Sequence, residues 1–313
     1  MAGVAETVGA RFARERTGSS RAIATLFMTT SADDAARRAY WADQMQQGYE
    51  LVQKSLTFEV RECGEGFASL RDAASAAGIE MLFSTSKIAG ELERVFFMRE
   101  SLIRLVMAAG RTMNERGWIL KIEDGFRSLE MQGQLVRKPE LFDAILRKCI
   151  WENGGTIPPV EIVFRRAIVL IANIPKIGTH MSGSAIDISV FRRDDGSEVW
   201  RGYPYLEMSE HTPMRSPFVS ADALRNRLEI TVMMEAHGFI HFPFEFWHFN
   251  QGDALGHLLA GQPAPARYGP VDWDPATNRV TPCADPLRPL NPMDVIEREI
   301  AAATRRAREN LAT

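Results

Sequence analysis

The chain has 313 residues, 45% hydrophobic and 25% charged, and a net charge of −3. It is long enough to bury a sizeable core, and its mixed charges argue against nucleic acid or an anionic membrane as the main partner. No apolar run approaches the roughly 18 residues that span a bilayer, and the Ala- and Arg-rich start lacks an apolar core with a small-residue cleavage site, so neither a membrane span nor a secretory signal is read. Cys63, Cys149 and Cys283 are odd in number and far apart, as expected of unpaired thiols in a reducing cytoplasm.

Residues 1–55 read as a largely helical extension without chemistry of its own. Leu56-Thr57-Phe58-Glu59-Val60 alternates apolar and polar residues, which predicts a short strand. Leu102, Leu105, Val106, Ala109 and Met113 recur at helical spacing, so residues 100–116 are predicted as an amphipathic helix ended by Gly117. Residues 118–122 are short and apolar like a buried strand, with Arg127 just past its end. A helix is predicted over 140–151. For 162–171, beyond Pro158 and Pro159, periodicity leaves helix and strand open. A Gly- and Ser-rich turn around His180 leads into a β-branched strand over 185–191 that bears Asp187. Asp194-Asp195-Gly196 predicts a turn from which the chain folds back as a hairpin. Ser220 is a candidate N-cap for a helix with Leu224, Leu228 and Val232 on one face, closed by Gly238. Residues 239–249 are strand-like, with Phe239, Phe242, Phe244 and Phe246 expected in the core. After Gly261 the chain is Pro-rich and predicted to lack regular structure until a helix over 293–310, with Ile296, Ile300 and Ala303 on one stripe. The expected organisation is thus an extension over 1–55, a catalytic domain over 56–260 and a C-terminal segment over 261–313. The terminal helices offer a surface to the body or to a homo-oligomer.

The densest chemical signal is Gly178-Thr179-His180-Met181-Ser182-Gly183-Ser184-Ala185-Ile186-Asp187, followed downstream by Glu245-Phe246-Trp247-His248. It supplies two imidazoles and a carboxylate, with a second carboxylate three residues before the last histidine. Three protein ligands and an open position are the layout of a catalytic zinc centre, whereas structural zinc is closed by four ligands, usually rich in cysteine. Two histidines and a carboxylate also make the facial triad of non-haem iron oxygenases. Those typically begin His-x-Asp, whereas His180 and Asp187 are seven apart, and Glu245 suits hydrolysis. In a regular strand Glu245 and His248 would point to opposite faces, so the chemistry demands a twist, bulge or strand end near Phe246.

These residues, x-x-His-x-x-Gly-x-Ala-x-Asp and then Glu-x-Trp-His, resemble the zinc D,D-peptidases that include the D-alanyl-D-alanine dipeptidases of vancomycin resistance. Related to these are the D,D-carboxypeptidases and the amino-terminal signalling domain of Hedgehog proteins. The resemblance runs over residues 100–249, taking in the helix and strand that end at Asp124-Gly125-Phe126-Arg127. It implies an α+β fold, a Hedgehog/D,D-peptidase-like central antiparallel sheet with flanking helices. It also implies one zinc ion per chain on His180, Asp187 and His248, with Glu245 as general base and Arg127 facing the oxyanion. Gly178, Thr179, Ser184, Leu206 and Glu207 are expected to contact substrate. Trp247 is expected to pack beneath the metal, and His211, His237, His241 and His257 to be structural or on the surface.

Three positions depart from the family pattern. Gly178 stands where these peptidases usually have serine, and Ser128 replaces the proline after the arginine. With Gly202 aligned to the dipeptidase glycine, Leu206 falls where an aspartate would pair with the substrate's ammonium, and Glu207 is next to it. The expected activity is zinc-dependent hydrolysis of a small D-amino-acid dipeptide such as D-alanyl-D-alanine. The alternatives are a D,D-carboxypeptidase or amidohydrolase acting on an N-blocked amide, and, since Glu245 and Arg127 have no purpose in a mere binding domain, less readily a non-catalytic zinc module.

Overall fold

The computed structural model describes residues 32–88 and 90–312; the helical reading of residues 1–31 lies outside the described residues. The core is a five-stranded sheet in the order β2 (Met81–Phe83), β4 (Trp118–Asp124), β5 (Ala185–Arg192), β7 (His248–Asn250) and β6 (Ile240–His241). Strands β4 and β5 are buried almost throughout, which is why both read as near-continuous apolar runs rather than alternating ones. The sheet is mixed: β2 runs parallel to β4, and the other pairings are antiparallel. This corrects the wholly antiparallel sheet expected.

One face packs on α3 (Glu100–Glu115), which buries Leu102, Val106, Ala109 and Met113 as its periodicity requires. It follows α2 (Leu70–Ala76) and a small ribbon of β1 (Phe67–Ser69) with β3 (Phe97–Arg99). A second layer is built from α1 (Ala32–Thr57), α4 (Leu129–Arg137), α5 (Pro139–Glu152) and α6 (Val160–Ile171). Helix α1 runs on to Thr57, into the start of the strand expected at residues 56–60; of that segment Val60 alone pairs, in a lone bridge to Ala266. Ser128, the departure from proline, caps α4 by accepting from the Met131 N–H at 3.2 Å. The segment left open at 162–171 is the helix α6. It buries Val163, Ala167 and Ile171 against α5 and Ile168 against α1, and this two-sided burial erased its periodicity.

Helix α7 (Ala221–Glu235) begins at Ser220 as expected, with the serine accepting from the Ala223 N–H at 3.2 Å. Its buried face is not the predicted one. Ala223, Arg227, Ile230, Thr231 and Met234 face the core, while Leu224 and Leu228 are partly exposed and Val232 is 66% exposed. Asp194-Asp195-Gly196 forms the turn, but the return is a single bridge, Phe191 to Glu198, without a full hairpin. The short helix α8 (Ala254–Leu259) follows β7, and the Pro-rich segment is not irregular throughout. It contains a hairpin of β8 (Val271–Asp274) and β9 (Arg279–Pro282) that places Trp273 against Phe67, Phe97 and Phe126. Helix α9 (Met293–Ala312) closes the chain and buries Ile296 and Ala303 on α5 and α6. Among the described residues no helix is long and apolar enough to cross a membrane.

Candidate metal centre

His180 lies in a 3-10 turn, Thr179–Ser182, flanked by Gly178 and Gly183. A Cβ on Gly178 would stand 2.4 Å from the Met181 methyl, the movable end of that side chain. Gly183 is left-handed at φ +68°, and a Cβ there would stand 2.1 Å from the Phe67 ring. The chain then enters β5. Asp187 pairs in register with Asp124 on one side, after a bulge in β4, and with His248 on the other. Three adjacent strands thus set Asp124, Asp187 and His248 in a row.

The strand expected over 239–249 is interrupted. Residues 242–247 form turns between β6 and β7, with the Glu245 N–H donating to the Phe242 carbonyl and the His248 N–H to the Glu245 carbonyl. Glu245 therefore comes from a turn and His248 from the first position of a strand, which meets the geometric demand read from the sequence. All five phenylalanines between residues 239 and 249 are buried, and Trp247 packs edge-on to Tyr205 and Phe246.

One ligand atom each from His180, Asp187 and His248 lies within 4.8 Å of the others, and all three residues are buried. Asp187 Oδ1 is 3.3 Å from His180 Nε2 and 2.9 Å from His248 Nδ1. The second nitrogen of each ring is held from behind: His180 Nδ1 donates to the Gly125 carbonyl at 2.7 Å, and His248 Nε2 is 2.9 Å from the Thr179 hydroxyl. The first contact fixes the His180 tautomer, since a carbonyl can only accept, and leaves Nε2 with its lone pair facing inward. With Thr179 accepting from His248 in the same way, two imidazole lone pairs and a carboxylate oxygen converge on one point. That donor set fits a divalent cation.

Around it stands a charged scaffold. Arg127 Nε and Nη2 bond Asp124 Oδ2 at 2.7 and 2.6 Å, its Nη1 reaches Gln132 at 3.2 Å, and Nη2 is 3.8 Å from Asp187 Oδ2. Arg94 approaches the same Asp124 oxygen at 3.2 Å. The Tyr205 hydroxyl donates to Asp187 Oδ2 at 2.8 Å. Asp124, Arg94, Tyr205 and Gln132 were not singled out from sequence; the placement of Asp124 three residues before Arg127 was the one available signal. Burial would raise the Asp187 carboxyl, but His180 and His248 outweigh it and hold it well below the usual range. Glu245 goes the other way: burial pushes it up to about 7, against His248 and with the help of Asp187.

A cavity of about 170 Å³ opens on these groups, lined by the three ligand residues, Glu245 and Arg127 at one end and by aliphatic side chains at the other. Gly178, Thr179 and Leu206 line it as well. Ser184, expected to contact substrate, is fully buried, bonds Asp253 at 2.7 Å and is not among the residues lining this cavity. Glu207 lines an adjoining outer depression instead. His211 stacks on Tyr203, His237 meets Thr112, His241 meets Glu235 and His257 meets the Ala264 carbonyl, so none joins the centre.

Residues 165–267 match the profile of the peptidase M15 family, described as D-ala-D-ala dipeptidase. A D-alanyl-D-alanine dipeptidase of Escherichia coli strain K12 is 36% identical over 84 residues, covering 26% of this chain and 43% of that protein. One of Enterococcus faecium is 30% identical over 90 residues, covering 29% and 41%. One of Synechocystis is 23% identical over 244 residues, covering 69% and 96%. The chain thus spans about two fifths of the length of the first two relatives. These matches bear out the resemblance read from the motif, and they tie the chain by similarity to a family of metallopeptidases. The profile match contains His180, Asp187, Glu245 and His248; Arg127 precedes it.

Proposed function

We propose that this protein is a zinc-dependent hydrolase that cleaves the amide bond of a small D-amino-acid dipeptide such as D-alanyl-D-alanine. The convergence of His180, Asp187 and His248 beside Glu245 in one cavity carries this reading. Zinc held by the three residues would polarise the scissile carbonyl and make water a nucleophile near neutral pH. Glu245, raised towards neutrality by burial, takes the proton of the attacking water and returns it to the departing amine. Arg127 presents its guanidinium to the developing oxyanion, and Asp124 and Gln132 keep it from swinging away. Tyr205 steadies the outer oxygen of Asp187. On this reading the mixed sheet with its helices is a variant of the Hedgehog/D,D-peptidase arrangement, one zinc is bound per chain, and the enzyme works in the cytoplasm.

A second reading is favoured by one observation. Leu206 occupies the cavity mouth, 54% exposed, where an acid would be needed to hold a free ammonium. An amide with a blocked amine would meet no such requirement. Zinc content and hydrolysis of D-alanyl-D-alanine and its N-acetyl form, with Glu245→Gln as control, test both. Cleavage lost in the variant with zinc retained supports the hydrolase. Stoichiometric zinc with neither compound cleaved rejects these substrates.

A further inference from the structure

We infer that the aliphatic end of the metal-site cavity is an acyl pocket, which takes a substrate whose amine carries a short apolar acyl chain rather than a free dipeptide. This rests on the hydrolase reading and names its substrate class. Beyond the metal ligands the wall is built from Val52 of α1, Leu135 of α4, Leu141 of α5, Ile168 and Ile171 of α6, and Met208. The whole cavity, metal end included, measures about 170 Å³, close to the roughly 150 Å³ that accepts a benzene-sized guest, so its aliphatic end has room for a short chain.

The charges that line the cavity are already engaged at its metal end. Arg127 is tied to Asp124 and Gln132, and Asp187 faces two imidazoles and the Tyr205 hydroxyl. Glu245 is the remaining carboxylate among the described lining residues, and its proposed task is at the water. Glu207, the acid next to Leu206, looks into the outer depression beside Lys148 and Glu210. A free ammonium entering the aliphatic end would give up its hydration without a partner, which is expensive.

One polar group in that wall has the opposite problem. Ser55 is 1% exposed and lines the cavity, and its hydroxyl has no hydrogen-bond partner among the described residues. Buried hydroxyls are nearly always satisfied, and an acyl carbonyl lying along the wall would accept its proton. Ser55 and Val52 both come from α1, a helix that precedes the residues matched by the family profile.

Calorimetric titration of the full chain with N-acetyl-, N-butanoyl- and N-hexanoyl-D-alanine tests the pocket apart from turnover. Affinity is expected to rise about three- to fourfold per added methylene. Val52→Phe should flatten that slope, with Leu141→Trp on the facing wall as a second filling variant should the first fail to fold. Ser55→Ala should weaken the whole series severalfold and leave the slope intact. A flat series, or tighter binding of free D-alanyl-D-alanine than of its N-hexanoyl form, overturns the pocket. Hydrolysis by the zinc-loaded protein is followed in parallel with D-alanyl-D-alanine and N-hexanoyl-D-alanyl-D-alanine. A chain-length slope in binding without cleavage of either compound sinks the hydrolase and leaves the pocket; cleavage of the free dipeptide with a flat series does the reverse.

Discussion

A carboxylate that is to accept a proton near neutral pH must be shielded from water without being captured by a cation. Glu245 meets this condition: burial raises it to about 7 while Arg127 is occupied by Asp124. Glu245→Gln should therefore lower kcat by about 10² to 10⁴ with metal content unchanged, as parallel kinetics and metal analysis would read. The same shift has a stability consequence in the metal-free protein. Because the folded value lies above the ordinary 4.5, folding favours the protonated form. The associated stability is full below pH 4.5 and is lost as pH rises through about 7. Denaturant titrations of the chelated protein at pH 5 and pH 8 should show wild type losing on the order of 1 to 3 kcal/mol that Glu245→Gln retains. Equal losses in both would show that Glu245 is ordinarily solvated. Asp124 illustrates the companion rule for buried charges. It holds Arg127 and Arg94 together at zero exposure, and breaking a buried pair by removing one partner costs about 3 to 5 kcal/mol. Asp124→Asn should lose stability of that order, and its kcat should fall with KM little changed, since Arg127 loses its position rather than its charge.

At the level of elements, what the sequence made legible followed from where each side chain's partners lie. The α3 stripe, the Ser220 cap and the β4–β5 cores depend on local pattern, and all three were readable. The burial of α7 was not, because a charged residue sits at the centre of its inner face. Arg227 is 1% exposed and donates to the carbonyls of Arg201, His211 and Pro213. Those loop carbonyls make an arginine the fitting core residue, and no periodicity rule anticipates them. The candidate metal ligands were named from the motif, whereas Asp124 and Tyr205 are joined to Asp187 only through strand register and a loop closure. The β8–β9 hairpin was hidden by its prolines, although Asn278 at φ +54° anchors it by accepting from the Phe67 N–H and the Trp273 indole. The turn that carries His180 permits a direct test of local packing. Gly183→Ala must force a β-carbon into the left-handed region and against the Phe67 ring. The conformational strain costs about 1 to 2 kcal/mol and overpacking about as much again. Thermal melting should show a marked loss that Phe67→Leu partly restores. No rescue would mean that the backbone term dominates.

Across the whole molecule the site is shared between two layers with different tasks. The sheet and the His180 turn hold the candidate metal ligands, and Glu245 belongs to the turn leading into β7, whereas α1, α4, α5 and α6 supply the aliphatic wall. Helix α9 touches the second layer and not the ligands: Ile296 and Ala303 lie in the cluster of Val136, Ile145, Val163 and Ile171. Removing residues 293–313 would expose that cluster to water. Burying a large aliphatic side chain is worth about 1.5 to 3 kcal/mol, so loss of Ile296 with its neighbours should lower the melting temperature by several degrees or more. If the layers respond separately, the truncated chain should still bind one equivalent of zinc through His180, Asp187 and His248. Its slope of affinity against acyl length should shrink, because Leu141, Ile168 and Ile171 would no longer be held in place. Zinc titration and the N-acyl-D-alanine series on the same truncated sample read the two layers independently. Loss of zinc binding together with the acyl slope would instead mean that sheet and helical layer fold as one unit, with the metal centre dependent on packing at the chain's far end.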